Sequence, residues 1–185
     1  MAFAGTVVGN EARGGLLLSY CISGDVSALK IPAPSTPGAT DGLWQHTCFE
    51  AFVAVPGEAA YREFNFATSG QWAAYRFSDE RVRDTAHELA QELAEPHMDT
   101  SRDAHTLRLQ VWLARSALPT PAAGQPLQWG LTAVVEDLRG QLSYWALHHP
   151  AARPDFHHRG GLALSLALPL FDPSSPPKTP HEIWY

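Results

Sequence analysis

The chain has 185 residues, 45% hydrophobic and 17% charged, which is the content of one folded domain with a core and not of a disordered chain. Thirteen Lys and Arg against nineteen Asp and Glu leave a formal charge of -6, which supplies no overall positive field to hold nucleic acid or an anionic membrane surface. No apolar run approaches the roughly 20 residues of a membrane helix, and residues 1–15 lack the basic-then-apolar pattern of a signal segment.

Cys21 and Cys48 are too few for a disulfide scaffold and sit in apolar, strand-like segments, so both are read as buried free thiols and the cytoplasm is the expected address. Fifteen prolines and fourteen glycines cut the chain into short runs, the spacing of an all-β sandwich or barrel. In chain order, strands are expected at 16–23, 47–55, 61–67 and 71–77, the last two joined by a short turn at Thr68-Ser69-Gly70. Between Asp79 and Pro96 good helix formers place Val82, Ala86, Leu89 and Leu93 at helical spacing, which predicts one short helix.

The second half of the chain is patterned more strongly. Leu107, Leu109, Val111 and Leu113 alternate with Arg108, Gln110 and Trp112, and Leu127, Trp129, Leu131, Ala133 and Val135 alternate with smaller or polar residues, so each run buries one face. A strand at 141–148 follows a turn at 137–140, and Leu162, Leu164, Leu166 and Leu168 predict a last strand with a leucine face. Residues 32–38 and 119–126 read as loops, and 172–185 as a Pro-rich C-terminal arm on a single domain, 1–185.

The usual catalytic signatures are missing. His87-Glu88-Leu89-Ala90-Gln91 has glutamine where a zinc-protease helix needs its second histidine, and there is no Gly-x-Ser-x-Gly, P-loop or dinucleotide fingerprint, so the chain is not expected to be an enzyme. Four histidines in 148–158 suggest a metal, but their spacing matches no standard ligand set and adjacent strand histidines point apart, so no metal site is assigned.

The richest chemistry lies between Leu43 and Phe77. If Phe64 and Phe66 on one strand, and Tyr75 and Phe77 on the next, mark the core, then Glu63, Asn65, Trp72 and Arg76 assemble on one outer groove. An indole covers the apolar face of a sugar ring while a carboxylate, an amide and a guanidinium hold its hydroxyls. The same residues also read as a surface ion pair, Glu63 with Arg76, beside a tryptophan that completes the core. Glu50, a carboxylate in an otherwise apolar strand, needs a partner, either a ligand or an internal donor. Trp44 reads equally as a lid on the core and as a stacking platform.

The segments Leu43-Trp44-Gln45-His46-Thr47-Cys48-Phe49-Glu50, Tyr61-Arg62-Glu63-Phe64-Asn65-Phe66, Gln71-Trp72-Ala73-Ala74-Tyr75-Arg76-Phe77, Ser143-Tyr144-Trp145 and Pro154-Asp155-Phe156-His157-His158, in that order, resemble the bacterial DOMON-like domains related to family 9 carbohydrate-binding modules. The resemblance implies an antiparallel, jelly-roll-like β-sandwich that binds sugar or haem without catalysis. It implies that Trp44 and Glu50 stand where sugar-binding relatives carry the tryptophan and glutamate that begin the central strand, with no counterpart for their second stacking aromatic. For haem it leaves Met98 as the axial methionine.

The reading is therefore a non-catalytic small-ligand domain with carbohydrate as the first ligand class and haem as the alternative cofactor. The candidate ligand-binding residues are Trp44, Glu50, Glu63, Asn65, Trp72, Arg76 and His157. A protein-interaction domain, using a sheet face or the terminal arm with Trp184 and Tyr185, is the reading from a different class.

Overall fold

The computed structural model describes residues 1–10, 14–89 and 93–167. The arm at 172–185, with Trp184 and Tyr185, and Leu168 lie outside the described residues.

Two sheets pack face to face. The smaller has the order β1-β2-β9-β8, from β1 (Ala2–Asn10), β2 (Gly15–Ser23), β8 (His97–Arg102) and β9 (Thr106–Ala114). The larger runs β11-β10-β4-β5-β6-β3, from β3 (Gly38–Ala39), β4 (Cys48–Ala54), β5 (Tyr61–Phe66), β6 (Gln71–Asp79), β10 (Leu127–Glu136) and β11 (Leu142–Ala146). The short β7 (Val82–Arg83) pairs with β6, and β12 (Leu164–Leu166) pairs with β10 beyond the end of β11. Among the described residues every strand pairing is antiparallel except that of β3 with β6.

Period-two alternation builds the core. Leu16, Leu18, Tyr20 and Ile22 of β2 and Leu107, Leu109, Val111 and Leu113 of β9 meet Phe49, Ala51, Phe64, Phe66, Trp129 and Leu131 from the larger sheet. The smaller sheet is thus one-sided: Arg108 and Gln110 are exposed and Trp112 is half-buried on its outer face. The larger sheet is not one-sided. Residues 147–162 cross over its outer face and form a second apolar cluster there, with Phe52, Tyr61, Tyr75 and Phe77 packed against Leu162 and Phe156.

Several expectations change. β1 alternates only weakly, with two glycines, and β8 is polar except for Met98, so neither carries a strand signal; backbone pairing with β2 and β9 makes them strands. The one short helix expected between Asp79 and Pro96 is present, over Thr85–Leu89 among the described residues, and Val82 and Arg83 before it pair back onto β6 in a hairpin. Asp84 starts it, its Oδ1 accepting the His87 amide 3.4 Å away. The leucine strand at the end is only three residues long within the described chain. Cys48 is buried and Cys21 only half-buried, and both are free thiols.

Candidate functional site

The candidate site lies on the outer face of the larger sheet, and the strand register dictates its composition. Directly paired residues share a face. One row across β10, β4, β5 and β6 reads Thr132, Glu50, Asn65, Ala73; the next reads Gly130, Phe52, Glu63, Tyr75; a third reads Gln128, Ala54, Tyr61, Phe77. Glu50 and Glu63 are therefore diagonal neighbours on adjacent strands, and Tyr144 of β11 joins the same face through its pairing with Val134. Over these rows opens a cavity of about 410 Å3, floored by Glu50, Glu63 and Phe52 and walled by Tyr75, Phe77 and His157. Trp44, Tyr144, Arg81 and Arg83 also line it.

The floor carries two carboxyl groups out of water: Glu50 is 2% and Glu63 5% exposed. Thr132 donates its hydroxyl to Glu50 Oε2 at 3.1 Å, and Asn65 Nδ2 donates to Glu63 Oε1 at 2.8 Å. Burial first, and then the nearby charge of Glu63, push the Glu50 carboxyl well above the ordinary range, against a smaller opposing effect of the Thr132 bond. A carboxyl so placed offers a donor beside the acceptor oxygens of its neighbour, the pair of functions a sugar diol presents in reverse.

One wall is a hydrogen-bond chain through Tyr61 that ends at His157, beside Glu63. The Tyr61 hydroxyl accepts the Arg81 amide at 3.1 Å, which leaves its own proton for His157 Nδ1 at 2.7 Å, and His157 Nε2 then faces Glu63 Oε2 at 3.9 Å. The imidazole is wedged edge-on against Phe52 and Phe77, at centroid distances of 5.3 and 5.0 Å. Burial, then the charge of Arg81, lower its pKa to about 4 against the opposing pull of Asp155. Arg81 itself holds a left-handed φ of 58°, uncommon for a non-glycine residue, and its guanidinium binds Asp155 Oδ1 at 2.6 Å, tying the β6–β7 hairpin to the crossing segment.

The opposite wall is held from the turn before β4. Tyr75 donates to Asp41 Oδ1 at 2.5 Å, and its ring is covered by the Arg83 guanidinium, 4.3 Å from the centroid. The short 3-10 turn Leu43–Gln45 rests on β4, β5 and β6 and holds the Trp44 indole out, 51% exposed. Tyr144 is 45% exposed. Two large aromatic surfaces thus stay exposed at a cavity whose floor residues are buried.

Of the candidate residues, Trp44, Glu50, Glu63 and His157 line this cavity. Asn65 is fully buried behind it and positions Glu63; its Oδ1 has no hydrogen-bond partner among the described residues. Trp72 and Arg76 are a correction. The register pairs Trp72 with Phe66 and Arg76 with Arg62, which puts both on the inner side; Trp72 packs on the main core and Arg76 faces Asp84 at 3.5 Å. The reason is that Tyr75 and Phe77, expected in the core, belong to the outer cluster, so the phase of β6 is the reverse of the one assumed. Met98, the haem candidate, lies half-buried in β8 of the other sheet and does not line the cavity. Lining residues that the sequence did not single out include Tyr144, Tyr75, Arg81 and Arg83. For Tyr144 the alternation of β11 was the available signal; for the others none existed before the register was known.

No protein-family model and no curated protein matches the chain. A solved structure does share the fold: that of a putative carbohydrate-binding protein from Bacteroides uniformis ATCC 8492, at a TM-score of 0.56 and 17% identity over 87% of this chain and 84% of that one. The likeness extends over most of both chains and concerns the β-sandwich itself.

Proposed function

We propose that the cavity binds a neutral carbohydrate without catalysing its conversion, and that the ligand stacks on Trp44 and Tyr144 with its hydroxyls held by Glu50 and Glu63. The observation that carries this reading is the joint occurrence, around one cavity, of two exposed aromatic surfaces and two buried carboxyl groups. Apolar C–H faces of a pyranose match the first and vicinal hydroxyls match the second. Arg81 and Arg83 are engaged by Asp155 and Asp41, which favours a neutral ligand over an acidic one. The B. uniformis protein supports the reading through its fold and its name, and the resemblance to DOMON-like and family 9 modules supports it through Trp44 and Glu50. Tyr144 then takes the part of the second stacking aromatic.

A glycan array followed by calorimetry tests the proposal. A captured glycan should raise the unfolding midpoint by mass action and be recovered uncut. Trp44→Ala, Tyr144→Ala and Glu63→Ala should each weaken its binding about tenfold or more, the scale of one lost stacking surface or charged hydrogen bond. Unchanged affinity in all three variants, or a protein that captures no glycan, contradicts it.

A further inference from the structure

A second hollow, of about 640 Å3, opens on the far side of the turn that carries Trp44. The turn is a partition: Trp44 lines the first cavity, and its neighbours Leu43 and Gln45 line the second. A three-residue 3-10 turn is only about 6 Å long, close to the width of one sugar ring. The hollows also share a hydrogen-bonded seam, because Asp41 and the Gly42 amide of the second hold the hydroxyl of Tyr75 in the first, at 2.5 and 3.4 Å.

The chemistry of the second hollow selects its ligand. At its back the buried Glu136 carboxylate binds Lys30 Nζ at 2.8 Å and His46 Nδ1 at 2.7 Å. The lysine charge is cancelled where it stands, so the hollow has no surplus positive charge to draw a phosphate or a carboxylate. What remains at its mouth are the half-exposed ammonium of Lys30 and free Nε2 of His46, the exposed amide of Gln45, and Gln71, which is oriented by Thr40 at 3.0 Å and by Ser69 at 3.2 Å. Mixed donors and acceptors, with Glu136 offset by Lys30 and Asp41 by Arg83 at 3.6 Å, beside the apolar Ile31 and Leu43, suit another polyhydroxylated ring.

We propose that the second hollow is a further subsite for the same glycan, so that the ligand is a chain of at least two sugar units laid across the Leu43–Gln45 turn. This rests on the carbohydrate reading of the first cavity. It predicts that affinity grows with chain length, because each subsite adds contacts without a second cost of association.

The test is calorimetry on the whole protein with gluco-, xylo-, manno- and galacto-oligosaccharides of one to six units, in α- and β-linked series. In the series that binds, the tetramer should bind about tenfold or more tighter than the monomer. Lys30→Met and Gln45→Ala should reduce that ratio below about threefold while leaving monomer affinity unchanged, which also certifies that the variants are folded. Gln45→Ala alters an exposed side chain and serves alone if Lys30→Met unfolds. Equal affinity for monomer and tetramer, or variants that weaken both alike, overturns the second subsite and leaves the first standing; no binding at any length overturns both.

Discussion

At Glu50 the cost of burial outweighs every interaction the side chain makes, and the consequence is a stability that depends on pH in a known direction. Its pKa in the folded protein lies above its unfolded value, so the folded form holds the extra proton; the contribution is complete below the unfolded value and is lost as pH rises through the folded one. Glu50→Gln removes the charge and keeps the shape. Urea unfolding should show the variant gaining on the native protein as pH rises from 5 to 9, and parallel curves contradict the burial argument. His157 works in the opposite sense. Its pKa is lowered to about 4, so the unfolded chain takes up a proton near pH 6.5 that the folded one refuses, and stability falls as pH drops from 6.5 to 4. A shift of that size corresponds to about 3 kcal/mol at most. His157→Gln, which keeps an acceptor for Tyr61, should flatten this limb in the same measurement; an unaltered limb shows that another group causes it. Asp41 and Asp155, held below the usual carboxylate range, lose their stabilising effect only at still lower pH. Of these roles, the need of Glu50 for a partner was legible in the sequence, since a carboxylate in an apolar strand must have one. The wedging of His157 between Phe52 and Phe77 was not, because it joins residues about 80 to 105 positions apart.

Among the elements, the crossing segment and the register decide what the site contains. Alternation within single strands was legible: β9 and β10 face as their patterns require, and both glutamates lie opposite the core phenylalanines of their own strands. The relative phase of β5 and β6 was not legible, since aromatic residues occur on both faces of β6 and only the covering of the outer face by residues 147–162 explains why. That covering depends on Gly130 of β10, where a Cβ would lie 3.1 Å from the Gly161 carbonyl oxygen. Gly130→Val should therefore displace the segment that brings Asp155, Phe156 and His157 to the cavity. Glycan affinity should fall at least about tenfold while the fold, read by far-UV circular dichroism, persists. Retained affinity shows that the segment contributes nothing to the site.

Taken as a molecule, the protein divides its labour between the two faces of one sheet. The inner face, against the four-stranded sheet, supplies the larger apolar core, and the outer face, half-covered, brings two buried carboxyl groups and two exposed aromatic rings around one hollow. The all-β sandwich was legible from strand spacing; which face of the larger sheet carries the candidate cavity required the second layer and the crossing segment to be seen together. The most direct test of the whole account is a crystal structure of the protein grown with the glycan that the array identifies. A sugar ring stacked on Trp44 or Tyr144, with a hydroxyl within hydrogen-bond distance of Glu50 or Glu63, is the predicted result; a glycan bound on the smaller sheet, with this cavity filled by its own side chains, contradicts it.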